Sequence, residues 1–230
     1  MSSDEDVEMA NAEKASDIKN IVKIFLNNCA NQMPVKRQHI VQYALNGKSK
    51  SFNAAFDVAK QILSQTYGIC IYEVSDSKTK QYITVSEFVG FRKEHAKHRR
   101  PQMVILMIIL SYIYMKGSSI TESSLFVFLR SINIDVEADD ENSYFGTNLK
   151  KMITDTFVKK LYLKKRKEDD SLNKDPSNLY SWGFRAEIEF PKKDVLTEAC
   201  KLIQKDPRLF VYQYNQAYNI VDEEMSSSQS

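Results

Sequence analysis

The chain has 230 residues, 43% of them hydrophobic, with 12 Phe, 12 Tyr and only 6 Gly. That content fills real cores and excludes wholesale disorder, while scarce glycine argues against a turn-rich all-β sandwich and against Gly-rich phosphate loops. The net charge of +2 is uneven: residues 1–15 carry −4, residues 222–230 carry −3, and the body 16–221 carries +9.

The first element is expected to start at Asp17, an N-cap residue, because Ile18, Ile21, Val22, Phe25 and Cys29 then form a helical stripe. Pro34 suits the start of a short second helix, Val35–Leu45, which Asn46-Gly47 ends. Phe52, Ala55, Phe56, Ala59, Ile62, Leu63 and Thr66 mark a third helix, stopped by Gly68. The period then changes to two: Ile69, Ile71, Tyr72 and Val74 precede the polar turn Ser75–Lys80, and Tyr82, Ile83 and Val85 follow it. That is a β-hairpin. Three helices and a hairpin are the winged-helix order.

Residues 92–100 form a basic linker, and the same order then repeats. A helix covers about Gln102–Met115, Thr121 caps another through Ser131, and a third covers about Thr147–Lys160. Strands are expected at Tyr162–Arg166 and Leu179–Phe184, joined by the polar loop Glu168–Asn178. Pro191 opens a further helix, and Asp206–Val221 can form one more. The expected organisation is therefore a disordered acidic tail over 1–16, a winged-helix module over 17–91, the linker 92–100 and a second module over 101–205. A C-terminal helix or extension over 206–221 and a disordered tail over 222–230 complete it. The fold class is mainly α with small β wings, a tandem winged helix.

Cys29, Cys70 and Cys200 are widely spaced without a CxxC, which excludes a zinc finger from this chain and argues against a secreted disulfide framework. The acidic start has no basic-then-apolar signal pattern. Met103–Met115 is apolar except for Ser111, but it is shorter than the ~20 residues that span a bilayer, so a buried helix is expected. His95 and His98 lack further ligands, His39 stands in polar surroundings, and no GxSxG, GxxxxGK[ST] or HExxH occurs. Neither an enzyme nor a cofactor is expected.

The second half carries a resemblance. Residues 105–116 followed by Gly117, then Phe145-Gly146, Lys150–Thr154, Phe157-Val158, Tyr162-Leu163, Asp175-Pro176 and Trp182-Gly183-Phe184-Arg185-Ala186, resemble the MAGE homology family in order. Pro34-Val35-Lys36-Arg37 looks like the family's entry to helix two, and the likeness spans about residues 18–205. It implies a non-catalytic tandem winged-helix adaptor, closest in character to the MAGE-type subunit of the structural-maintenance-of-chromosomes five–six complex. That implies a nuclear protein of DNA repair that binds a RING-type ubiquitin ligase subunit and a kleisin and contacts double-stranded DNA. Regulation of other RING ligases is the alternative, and a free-standing DNA-binding transcription factor a weaker one.

Two sets of residues stand out. Lys159, Lys160, Lys164, Lys165, Arg166 and Lys167 put six cations in nine residues at a helix end and first wing strand, where winged helices meet DNA backbone. Lys150 and Lys151 join them, opposite the expected core side Leu149, Met152, Ile153, Thr156 and Phe157. Such contact would be sequence-independent, since lysines neutralise phosphates; an ordinary solvated face is the competing reading. For the RING partner, the family's hydrophobic pair in helix one matches Phe25-Leu26. Ile24, Phe25 and Leu26 are the candidate contact, but periodicity puts Phe25 at the centre of the core face, Leu26 at its edge and Ile24 outward, so Phe25 as plain core is the competing reading and Ile24 and Leu26 are the better exposed contacts. Trp182, the only Trp, is expected to anchor the second wing against the Met103–Met115 helix. On the third helix Asn53, Asp57, Lys60, Gln61 and Ser64 face solvent with one cation among them, poor for reading a groove.

Overall fold

The computed structural model describes residues 2–75, 78–87, 100–137, 144–146, 148–168 and 177–220. The chain divides into two compact units, Met1–Lys97 and His98–Ser230.

The first unit opens with α1 (Ser2–Cys29), then β1 (Val35–Lys36), α2 (Arg37–Ala44), a single tight turn at Ser49–Ser51, α3 (Phe52–Tyr67), β2 (Ile69–Glu73) and β3 (Gln81–Ser86). Two expectations change here. The helix begins at Ser2, so residues 2–16 are not a disordered tail, and Asp17 lies inside the helix, 7% exposed, rather than capping it. The physical reason is composition: Glu8–Ala15 is rich in Ala, Glu and Met, good helix formers with no Gly or Pro, so the helix held in the core at Ile21, Val22 and Phe25 propagates back through it. A Glu13–Lys48 ion pair further ties this extension to the turn after α2. The second difference is Val35-Lys36, which is extended and pairs with Gln81-Tyr82 before α2 begins at Arg37.

Strand order is β1-β3-β2, all antiparallel, with β2 and β3 in register from Ile69↔Ser86 to Glu73↔Tyr82. α3 ends because Gly68 takes the left-handed conformation, φ 58°, and donates its N–H to the Leu63 and Ser64 carbonyls. The core joins Ile21, Val22 and Phe25 of α1, Ile40 and Ala44 of α2, Phe52, Phe56 and Leu63 of α3, and Tyr82 of β3.

The second unit runs α4 (Arg100–Lys116), β4 (Ser119–Thr121), α5 (Glu122–Ser131) and a helix over 149–159, termed α6. It continues through β5 (Leu163–Lys167), β6 (Asn178–Trp182), α7 (Phe184–Glu189), α8 (Lys192–Leu202), a tight turn at Pro207–Leu209 and α9 (Val211–Tyr218). The sheet order is β4-β6-β5. The same arrangement of helices and a three-stranded antiparallel sheet thus occurs twice. The chain is a tandem winged-helix protein.

Local chemistry accounts for the elements the sequence announced. The Thr121 hydroxyl accepts the Ser124 N–H and starts α5. α4 buries Ile105, Leu106, Ile109, Leu110, Ile113 and Tyr114, while Met103, Met107, Ile108, Tyr112 and Met115 are partly buried against the same core. That wide apolar surface is why nearly every position of the run is apolar, at roughly 1.5–3 kcal/mol for each fully buried side chain. No helix among the described residues is long and apolar enough to cross a membrane.

Several expected boundaries shift. β5 is displaced by one residue from the expected strand, β6 starts one residue early and ends two residues early, and Phe184 opens α7, a helix not anticipated. α6 contains a wider, π-type turn over Met152–Thr156, again not anticipated. The basic linker over 92–99, His95 and His98, Asp175-Pro176 and the tail 222–230 lie outside the described residues.

Candidate partner and nucleic-acid interfaces

Each basic residue on α6 and β5 has its own surroundings. On α6, Leu149, Met152, Ile153 and Phe157 are buried as expected, Thr156 is half-buried, and Lys150, Lys151 and Lys159 are exposed. Lys150 donates to Glu137 at 2.7 Å and Lys159 to Asp155 at 2.8 Å, the latter an i,i+4 pair. Both pairs are solvent-exposed, so each is weak and screened by salt.

On β5 the sheet alternation separates two faces. Leu163, Lys165 and Lys167 share the side of Trp182, Tyr180 and Asn178, their partners across the ladder. Lys165 lies over the Tyr180 ring at 5.6 Å and 3.7 Å from Glu122, with its side chain 31% exposed. It is therefore less available than the sequence suggested, because Glu122 and the Tyr180 ring engage it. Glu122 also accepts from the Tyr180 hydroxyl at 2.8 Å and the Asn178 amide at 3.0 Å, a hub that no local pattern announces because its partners lie 56 and 58 residues on. Lys164, Arg166 and Lys167 are exposed, and Lys160 is half-buried. Lys151, Arg166 and Lys167 pair with no carboxylate among the described residues.

The turn from which β5 springs is held from inside. Arg185, fully buried, donates through Nε to the Lys160 carbonyl at 2.9 Å and through Nη1 to Glu189 at 3.0 Å. Tyr162 donates its hydroxyl to the other oxygen of Glu189 at 2.9 Å, and the Arg185 guanidinium lies 5.6 Å from the Tyr162 ring centre. Leu161 is left-handed, φ 63°, a conformation that costs an ordinary side chain about 1–2 kcal/mol. Its carbonyl accepts the Arg185 N–H at 2.9 Å. Gly183 has no room for a side chain, since a Cβ there would run into the Leu161 carbonyl. The Trp182 indole donates to the Leu110 carbonyl at 2.9 Å and lies 5.9 Å from the Tyr114 ring, so the wing is anchored on α4 as expected. The Trp-Gly-Phe-Arg-Ala segment is thus a clamp that orients the basic strand.

On α1, Phe25 is fully buried, and Ile24 and Leu26 are half-buried against the same core. Ile24 does not stand fully outward as expected, because α1 is contacted by α2, α3 and β3 and its apolar surface is shared among them. In the second unit, α9 is strapped to the end of α4. Tyr114 donates to the Gln213 carbonyl at 2.6 Å, and Gln213 donates back to the Met115 carbonyl at 3.1 Å. Burial first, and then Tyr212 and Glu187, push the Tyr114 phenol up to about 12.

All three cysteines are free thiols. Among the described residues no three His, Cys, Asp or Glu side chains gather as a metal site.

A family model described as the MAGE homology domain matches residues 21–193. The chain belongs to the MAGE homology family. Over 212 residues it is 29% identical to the human non-structural maintenance of chromosomes element 3 homolog, covering 90% of this chain and 66% of that one. It is 28% identical to human trophinin over 203 residues, covering 86% of this chain and 13% of trophinin. Human melanoma-associated antigen D2 is 29% identical over 204 residues, with 86% and 32% covered. The chain thus spans from about an eighth to two thirds of the length of these relatives. Among solved structures, a chain of an Nse1-Nse3-Nse4 complex superposes with a TM-score of 0.80 at 28% identity, over 90% of this chain and 98% of that one.

Proposed function

We propose that this protein is a non-catalytic adaptor of the structural-maintenance-of-chromosomes five–six complex, binding a RING-type subunit and a kleisin in the nucleus. The observation that carries this reading is near-complete coverage in both directions: the likeness extends over 90% of this chain and 98% of a chain from an Nse1-Nse3-Nse4 complex. A winged-helix module shared with unrelated DNA-binding proteins would match over one unit only.

The proposed RING contact lies on α1 at Ile24 and Leu26; Phe25, expected with them, is fully buried and out of a partner's reach. Phe25 supports the helix from the core, and the half-buried Ile24 and Leu26 reach the surface. DNA contact without sequence preference is the second part of the proposal. It is supported by the exposed Lys150, Lys151, Lys159, Lys164, Arg166 and Lys167, with the half-buried Lys160 and the partly engaged Lys165 at their margin. A role in DNA repair follows from membership of that complex. The exposed side of α3 offers Asn53, Asp57, Lys60 and Gln61, only one of them basic, which disfavours the transcription-factor reading.

The test is affinity purification of the tagged full chain from its own cells, with stoichiometric partners identified by mass spectrometry. The expected result is a RING-domain protein and a kleisin at near-equal amounts. Ile24→Ser with Leu26→Ser should lose the RING protein while the circular dichroism spectrum is kept; serine avoids burying a charge at half-buried positions. Recovery without either partner overturns the adaptor reading.

A further inference from the structure

The first unit contains a depression of about 190 Å³ between α3 and its sheet that the adaptor reading does not use. Its construction follows from register. Tyr82 stands directly across from Val35 on one side and Glu73 on the other, so the three share a face of the sheet. Arg37, two residues after Val35, continues that face and donates its backbone N–H to the Lys80 carbonyl. Over the same face lies α3, whose Phe52, Phe56 and Lys60 recur at i, i+4, i+8. Phe52, Phe56 and Tyr82 stack into an aromatic floor, with centroids 4.9 Å apart for the two Phe and 4.6 Å for Phe56 and Tyr82.

Three donors converge above that floor without a committed acceptor. The Arg37 guanidinium lies 4.4 Å from the centre of the Phe52 ring and makes no ion pair among the described residues. Lys60 lies over Phe56 at 5.9 Å and is likewise without a carboxylate partner. Tyr82 is only 4% exposed, lines the depression, and its hydroxyl has no hydrogen-bond partner among the described residues. Burial holds this phenol above its ordinary range, with Glu73 and Asp57 adding to the shift and Arg37 opposing it, so those three charges all face it. The hydroxyl itself reaches solvent through the depression, so it can donate to a ligand without first breaking a bond within the protein.

We propose that this depression is an anchor site for one carboxylate side chain, Glu or Asp, carried on a short segment of a partner protein. The volume suits a single side chain and is below the ~300–1,000 Å³ of small-molecule and cofactor pockets. A carboxylate takes two parallel bonds from the Arg37 fork and leaves lone pairs for Tyr82 and Lys60. The rim also decides against a phosphate. Asp57 and Glu73 line the same depression, and although Lys80 engages Glu73 at 3.3 Å, Asp57 has no such cation. A dianionic phosphate or a DNA backbone is repelled there, whereas a monoanionic side chain flanked by a basic residue satisfies both signs. The site lies within the first unit and does not depend on the adaptor reading.

The experiment selects a displayed library of random seven-residue peptides on the intact 230-residue chain, then measures a recovered peptide by fluorescence anisotropy. The expected peptides converge on one invariant Glu or Asp. Changing that acid to its amide, or Lys60→Gln or Arg37→Gln in the protein, should weaken binding about tenfold or more, and Tyr82→Phe several-fold. Peptide addition should shift the backbone amide resonances of Asn53, Lys60 and Tyr82. Because Arg37 covers Phe52, a misfolded Arg37 variant is replaced in the test by Lys60→Glu, at an exposed position. Peptides without a common acid, or binding indifferent to Lys60, overturn the proposal. So does a phosphoserine peptide or a 20-base-pair duplex that shifts the same three amides more strongly than the acidic peptide at equal concentration.

Discussion

Arg185→Leu isolates the clamp behind the basic strand. The substitution leaves Glu189, a side chain 7% exposed, with the Tyr162 hydroxyl as its remaining partner among the described residues and takes the Arg185 Nε donor from the Lys160 carbonyl. Removing one member of a buried pair costs about 3–5 kcal/mol, because the other charge stays buried and uncompensated. With a urea m-value of about 2 kcal/mol/M, the midpoint should fall by roughly 1.5–2.5 M. Trp182 is the only tryptophan and lies in the second unit, so its emission during urea unfolding reads that unit separately from whole-chain circular dichroism. Adding Glu189→Leu should recover more than half of the loss, since removing both charges leaves only the Lys160 carbonyl and the Tyr162 hydroxyl to rearrange. A midpoint shift below about 0.5 M for Arg185→Leu, or no recovery in the double variant, refutes the claim that this ion pair sustains the turn into β5.

Gly183→Ala should be worse than Arg185→Leu and prevent the second unit from folding, seen as loss of blue-shifted Trp182 emission, because the new Cβ meets backbone at Leu161 rather than a movable side chain. The triple change Lys151→Glu, Arg166→Glu, Lys167→Glu should flatten the log–log salt slope of binding to a 20-base-pair duplex by about 2–3 units. In the same anisotropy assay Lys165→Gln should change little, since that side chain is engaged with Glu122 and Tyr180; a larger effect from Lys165 than from Arg166 contradicts the assignment. Alkaline titration should destabilise the second unit, and the raised Tyr82 phenol pulls the first unit in the same direction. Tyr114 ionises near 10 in the unfolded chain but is pushed up to about 12 in the fold, so its contribution is complete below pH 10 and is lost as pH rises from 10 through 12. Tyr180 is pushed in the same direction, by burial and then by Glu122. Tyr114→Phe should therefore lessen the loss of Trp182-monitored stability between pH 10 and 12.

Much of the fold was legible in the sequence because its signals are short-ranged. Thr121 caps α5 by accepting an N–H three residues on, Gly68 ends α3 by its own left-handed backbone, and the three-and-four stripe of Phe52, Phe56, Ala59 and Leu63 is the face on which that helix packs. The apolar Met103–Met115 run and the anchoring of Trp182 on it were legible for the same reason: an unbroken apolar helix needs a deep core, and a lone large aromatic beside a wing needs a wall. The candidate cations were legible as a charge run at the end of α6 and along β5.

The rest depended on partners distant in the chain. β1 and β4 are two and three residues long, too short for any periodic signal, and exist only because β3 and β6 offer them a ladder. The helix over 2–16 was hidden by charge, which reads as a tail although Ala, Glu and Met propagate a helix once Ile21, Val22 and Phe25 hold the next turns in a core. Which lysines of a basic run stay available, and that Arg185 is buried rather than solvated, followed from Glu122 and Glu189 reaching them across the fold. Periodicity and caps follow from the geometry of neighbouring residues, and so sequence by itself determined the elements and their order. Charge pairing, strand recruitment and the acceptor-less Tyr82 hydroxyl depend on which distant groups arrive at one place, and only the tertiary structure decided them.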